Sequence, residues 1–345
     1  MRLFHCACGN RLHFGNTRCL SCGRALGFDP ARRAVVALDA GADGLWRAPG
    51  GGGQRYRNCA NVVAASCDWL VPAESGDALC LACRLTDTIP DLDNELNRIY
   101  WGRLEAAKRY LITDLLRLGL PLADRWQDPQ RGLVFQFLAD ADTPEGPQQI
   151  ITGHAGGRIT INVAEADEIH RERTRIALGE AYRTLLGHMR HEIGHYYWMR
   201  LIEGSPWQER FRALFGDERE PYEQALQRYY QFGPQGPDWA VRHISAYAAS
   251  HPWEDWAESW AHYLHITDAL ETAGVYQLTG MPQAGEDIEQ LLERWHQLSE
   301  ALNALSRSLG QRDPYPFKVT EPVAEKLRFI QEVVGAAGSS GGAAS

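Results

Sequence analysis

The stretch His188-Met189-Arg190-His191-Glu192-Ile193-Gly194-His195 contains H-E-x-x-H, two imidazoles four residues apart with a carboxylate beside the first. On an α-helix, residues four apart share a face, so His191 and His195 can both direct a ring nitrogen at one zinc ion. Glu192 falls about 100° further round the helix, where it reaches a water on the metal rather than the metal itself. Tyr182, Leu185, Leu186, Met189, Ile193 and Tyr196/Tyr197 recur at three- and four-residue spacing. That spacing predicts a helix over 179–201, with the histidines on the face beside its buried stripe. The bland alternative is a pair of hydrogen-bonded histidines next to a core, with Glu192 in solvent.

Hydrolytic zinc takes three protein ligands and leaves a fourth position open. A second helix is expected around Trp253–Tyr263, entered through His251-Pro252 and striped by Trp253, Trp256/Ala257, Trp260 and Tyr263/Leu264. Glu254 and Glu258 are four apart and share a face of it. Glu254 is expected as the third ligand, with Glu258 or Asp255 as the fallback. Glu258 is expected to hold a ligand histidine from behind, fixing its tautomer. Glutamates on helices are ordinarily solvated, but three tryptophans around this pair argue for a partly buried helix.

All eight cysteines lie between Cys6 and Cys83. Cys6-x-Cys8 and Cys19-x-x-Cys22 are each followed by a glycine, Gly9 and Gly23, as a tight metal-binding turn requires. They predict one structural four-cysteine zinc site, and Cys59, Cys67, Cys80 and Cys83 predict a second. A disulfide framework is disfavoured, because close pairs suit a shared metal better than bridges.

With these residues in view, the chain resembles known families. His191-Glu192-x-x-His195 followed by Glu254-x-x-Ala257-Glu258 is similar to the gluzincin arrangement, in which a Glu on a second helix completes the zinc site. The sub-pattern Glu-x-aromatic-Ala-Glu is similar to that of the anthrax lethal factor peptidase domain. That likeness implies a role for Tyr247, seven residues before Glu254, as donor to the oxygen at the metal. The whole chain resembles the prokaryotic zinc-binding metallopeptidases that carry an N-terminal zinc ribbon. The matching stretches are Cys6-Ala7-Cys8-Gly9-Asn10, Ile89-Pro90-Asp91-Leu92, Ile161–Asp167 and Arg183–His188. The resemblance implies a peptidase-like site and names no substrate.

The remaining features concern what positions these residues. At 345 residues, 44% hydrophobic and 23% charged, the chain can bury a sizeable core and is expected to form two domains with a tail. These are a zinc-ribbon region over 1–88, a zincin-like domain over 89–334 and a disordered Gly/Ala/Ser tail over 335–345. The ribbon region, rich in glycine, is expected to owe its folding mainly to metal. Gly50–Gly53 is expected as a flexible break between the cysteine sets.

Pro90 is expected to open a long helix, capped by Asp91 or Asp93 and striped by Leu96, Ile99/Tyr100, Leu104, Ala107, Leu111 and Leu115. Leu133–Leu138 and Arg158–Val163 predict strands joined through a turn at Gly153–Gly157. A small sheet ahead of helices is the α+β order of a zincin, with a mainly helical catalytic domain. Arg158–Val163, if it forms the sheet edge over the cleft, would bind an extended peptide by strand addition.

The net charge is −9, but residues 1–58 carry +6, which leaves −15 for the rest. An acidic body argues against nucleic acid as the main partner, while the basic N-terminal segment keeps it open. No long apolar run or signal-peptide pattern is present in the sequence, so a cytoplasmic location and no membrane partner are expected. The expected activity is hydrolysis of a peptide or protein substrate by a zinc-activated water. Glu192 serves as general base, and Tyr247, or else His243 or His251, stabilises the oxyanion. The rival is a zinc-ribbon binding module for protein or nucleic acid with a non-catalytic H-E-x-x-H site.

Overall fold

A computed structural model of the chain describes residues 3–50, 52–143, 146–283 and 285–341. It is an α+β protein of two compact units: residues 1–117, 122–152 and 160–167, and residues 118–121, 153–159 and 168–345.

The first unit begins with a hairpin, β1 (Phe4–His5) against β2 (Arg11–Leu12). An antiparallel sheet of five strands follows in sequence order: β3 (Ala25–Asp29), β4 (Ala34–Ala40), β5 (Trp46–Arg47), β6 (Arg55–Asn58) and β7 (Leu70–Pro72). Leu38, Tyr56 and Leu70 pack together on it with Val36 and Trp46, and Phe28 lies on Trp69 with ring centroids 4.6 Å apart. The periodicity of the sequence did not predict this sheet. Strands β5, β6 and β7 run for only two to four residues, too short for alternation to register as a strand pattern. Gly51, within the expected Gly50–Gly53 break, lies outside the described residues.

Next come β8 (Thr86–Thr88) and α1 (Glu95–Arg117). The helix starts five residues after Pro90, and its cap is neither Asp91 nor Asp93. The Asn94 side chain accepts from the amides of Leu96 and Asn97 instead. Trp101, Leu104, Leu111, Ile112 and Leu115 are buried, whereas Leu96 and Ile99 are exposed, so the buried stripe begins a turn later than its spacing implied. Arg109 reaches Asp68 at 3.4 Å and Lys108 pairs with Glu105 at 2.8 Å, both beside the second cysteine set. By packing, therefore, the first unit extends past residue 88. Strand β8 runs parallel to β9 (Val134–Leu138); β10 (Ala141–Thr143) and β11 (Gly146–Gln148) form a hairpin.

Strand β12 (Gly153–Ala155) neighbours β13 (Arg158–Asn162), and Gly156 and Gly157 between them have positive φ. In the strand order β13 lies between β12 and β9, so it has a neighbour on each side. Arg158–Asn162 is therefore an interior strand and not the sheet edge expected for strand addition.

Helices make up the rest: α2 (Glu168–Ala177), α3 (Leu185–Tyr197), α4 (Gln208–Phe215), α5 (Tyr222–Phe232), α6 (Trp239–Arg242), α7 (Pro252–Val275), α8 (Ile288–Ser308) and α9 (Glu321–Gly341). The helix expected over 179–201 starts at Leu185, because Gly179 sits in a left-handed turn and Thr184 caps the Gly187 amide. It continues through a wider turn, Trp198–Ile202.

Helix α9 carries through Gly341, so the 335–341 part of the expected disordered tail is helical; residues 342–345 lie outside the described residues. Gly338 packs closely against a neighbouring backbone. A Cβ at Gly338 would stand 2.8 Å from the Leu118 carbonyl oxygen.

Candidate active site and metal centres

Helices α3 and α7 cross where Gly194 meets Ala257. A Cβ on Gly194 would lie 2.9 Å from the Ala257 Cα, so only glycine allows this approach. The Trp256 indole donates to the Gly194 carbonyl at 2.8 Å, and Trp260 stacks on Tyr197 at 5.0 Å. The wildcards of H-E-x-x-H thus include the residue that sets the helix spacing.

This crossing brings His191, His195 and Glu254 together, with one ligand atom from each within 4.8 Å of the others. The two Nε2 atoms are 3.2 Å apart, and Glu254 Oε2 is 3.0 Å from His191 Nε2. Glu254 is 1% exposed and its Oε2 has no hydrogen-bond partner. Two imidazole nitrogens converging on an orphaned buried carboxylate oxygen match the N/O donor set of a zinc ion.

Glu258 Oε1 lies 2.7 Å from His191 Nδ1 and accepts its proton, which leaves Nε2 with a free lone pair. The Ser245 hydroxyl donates to the other oxygen of Glu258 at 2.6 Å. His154, on β12, stacks parallel to His195 with centroids 6.5 Å apart.

Glu192 is buried on the same helix, 3.5 Å from His188 Nε2, and its Oε2 has no hydrogen-bond partner. Burial pushes its carboxyl up, but His188, His191 and His195 together hold it below its ordinary value, as an acceptor.

Tyr247 has its ring 5.9 Å from His191, in the short turn Tyr247–Ser250. Burial, then the charge of Glu254, raises its phenol well above the usual range, so it stays protonated. The alternatives to it are engaged elsewhere. His251 caps α7, its Nδ1 accepting from Trp253 N at 3.1 Å and its Nε2 donating to the Glu220 carbonyl. His243 faces the Trp239 carbonyl and Asp255. Asp255 itself is paired with Lys326 at 2.6 Å in the interior, so the fallback ligand role is closed to it.

Sequence reasoning missed Tyr222, whose hydroxyl donates to Glu254 Oε1 at 2.6 Å. The spacing of Tyr222, Ala225 and Tyr229 after Pro221 marks a helix, but nothing in it points to Glu254.

The cysteines form two further groups, Cys6/Cys8/Cys19/Cys22 and Cys59/Cys67/Cys80/Cys83. Sulfur separations are 3.6 Å (Cys6–Cys22), 3.7 Å (Cys8–Cys19) and 3.7 Å (Cys67–Cys80). A tetrahedral site with Zn–S near 2.3 Å places sulfurs about 3.8 Å apart, whereas a disulfide needs about 2.0 Å. Gly9 and Gly23 have φ of +86° and +75°, as the turns after the first two pairs require. Of the N-terminal arginines, Arg24 pairs with Asp39, Arg47 with Asp43 and Arg55 with Glu74, which breaks up the basic surface.

Residues 97–333 match the family described as "putative zinc-binding metallo-peptidase", and residues 3–94 match a zinc-ribbon domain. The chain belongs to that metallopeptidase family. It is 44% identical over 343 residues to uncharacterized proteins of Mycobacterium tuberculosis and Mycobacterium bovis, covering 97% of this chain and 95% of each relative. No solved structure matches it. Among the described residues, no helix is long and apolar enough to cross a membrane.

Proposed function

We propose that this protein is a gluzincin-type zinc peptidase acting on peptide or protein substrates. The observation that carries the reading is the convergence of His191, His195 and Glu254 beside a buried Glu192 with an unpartnered oxygen. Zinc held by those three residues would supply Lewis acidity to the scissile carbonyl and acidify a water.

Glu192 takes the water proton at Oε2 and returns it to the leaving amine. Glu258 keeps His191 in the tautomer whose Nε2 faces the site. The Tyr247 phenol, kept protonated, donates to the developing oxyanion. The eight cysteines would hold two structural zinc ions, which suits a reducing compartment such as the cytoplasm.

The test is a peptide-library cleavage assay with zinc content measured in parallel. Glu192→Gln is expected to retain zinc and lose turnover, because an amide cannot accept the proton. Glu254→Ala is expected to lose the zinc of this site and the activity with it. Full cleavage by Glu192→Gln would exclude Glu192 as the base, and a zinc-loaded parent that cleaves no peptide would return the site to the non-catalytic role of a binding module.

A further inference from the structure

The two oxygens of Glu254 have different surroundings. Oε1 accepts the Tyr222 hydroxyl at 2.6 Å and lies 3.5 Å from His195 Nε2. Oε2 is unpartnered, buried and 3.0 Å from His191 Nε2. The phenol is the donor in this pair.

Tyr222 is itself held from two directions. His251 caps α7 three residues before Glu254, and its other nitrogen donates to the carbonyl of Glu220, two residues before Tyr222. The rings of His251 and Trp253 stand 5.1 Å and 5.8 Å from that of Tyr222. One histidine therefore ties the start of α5 to the start of α7, across which the phenol meets the carboxylate.

We propose that Tyr222 is a positioning residue that makes Glu254 a single-oxygen ligand: it occupies Oε1 and leaves Oε2, the unpartnered oxygen closer to the histidine nitrogens, to bind the metal. The proposal rests on the reading of His191, His195 and Glu254 as a metal site. A carboxylate with both oxygens free can bind through both, taking up a coordination position that a hydrolase keeps for water. A phenol on one oxygen closes that option and also fixes the carboxylate rotamer.

The test uses the full chain with its cysteines zinc-loaded and cobalt(II) as the probe of the third site. Tyr222→Phe keeps the ring and loses only the donor. It is expected to weaken cobalt binding about 10- to 100-fold, as loss of a hydrogen bond to a metal ligand does. The visible cobalt bands should weaken as the coordination number rises, while the melting temperature of the cobalt-free protein stays that of the parent. In a Glu254→Ala background, adding Tyr222→Phe should cost no further affinity, because the tyrosine then has nothing to position.

Unchanged cobalt affinity and spectrum in Tyr222→Phe would overturn the proposal. So would an equal loss in both backgrounds, since the tyrosine would then act through the fold. If Glu254→Ala alone leaves cobalt binding intact, the third ligand is misread, and the metal-site reading fails together with the proposal.

Discussion

Glu258 shows what a single side chain away from the metal can contribute. It accepts from His191 Nδ1 at 2.7 Å and is itself held by Ser245. Glu258→Ala is expected to release the tautomer of His191 and weaken zinc at this site about 10- to 100-fold, measured by competition with a chromogenic chelator. Tyr247→Phe is expected to keep the zinc and lower turnover by about 10²–10³, the usual cost of one oxyanion donor. Parallel metal and rate measurements separate the two, because only the first variant should lose metal.

At the scale of elements, the site depends on how closely α3 and α7 approach. Gly194 lies against the Ala257 Cα and Trp260 Cβ, and the atoms it meets are mostly backbone or the first side-chain carbon, which cannot turn aside. Gly194→Ala should therefore push the helices apart and destabilise the protein by about 1–3 kcal/mol, in the range of overpacked cores. Thermal unfolding of the zinc-free protein should register the loss even though no ligand has changed. A melting temperature equal to that of the parent would show that the crossing has room to give. The same close approach explains why an otherwise featureless x in H-E-x-x-H is occupied by glycine here.

At the scale of the whole molecule, the three groups of potential ligands predict three zinc ions per chain. Elemental analysis of protein purified without added metal is the check; a count of two would remove one of the three groups. Acid should act on the fold through buried neutral histidines. His262 is enclosed and bonded to the Tyr315 hydroxyl at 2.7 Å, and burial lowers its pKa from 6.5 to about 4. The neutral form is thus favoured in the folded state. Its contribution is fully present above pH 6.5 and is lost as pH falls toward 4, an effect of about 3 kcal/mol. Denaturant midpoints of the parent and His262→Gln across this range should converge at low pH; a constant gap would show that His262 does not titrate with the fold.

The sequence by itself determined the chemistry that depends on local spacing. Residues four apart share a helical face whatever surrounds them, so spacing alone pairs His191 with His195 and Glu254 with Glu258. The cysteine pairs were legible for the same reason, since a metal turn needs a few residues and a glycine.

Relations across the chain were not legible. Which of Glu254, Asp255 and Glu258 meets the histidines is decided by the α3–α7 crossing, which turns Glu254 inward, sends Asp255 to Lys326 and sets Glu258 behind His191. Tyr222 arrives from a helix 32 residues away in sequence, and no local pattern links it to Glu254. His251 and β13 had plausible local readings that their actual partners replaced, a helix cap in one case and a strand neighbour on each side in the other. Periodicity reports which face of an element is buried, but only packing settles what that face meets, and the site is made of such meetings.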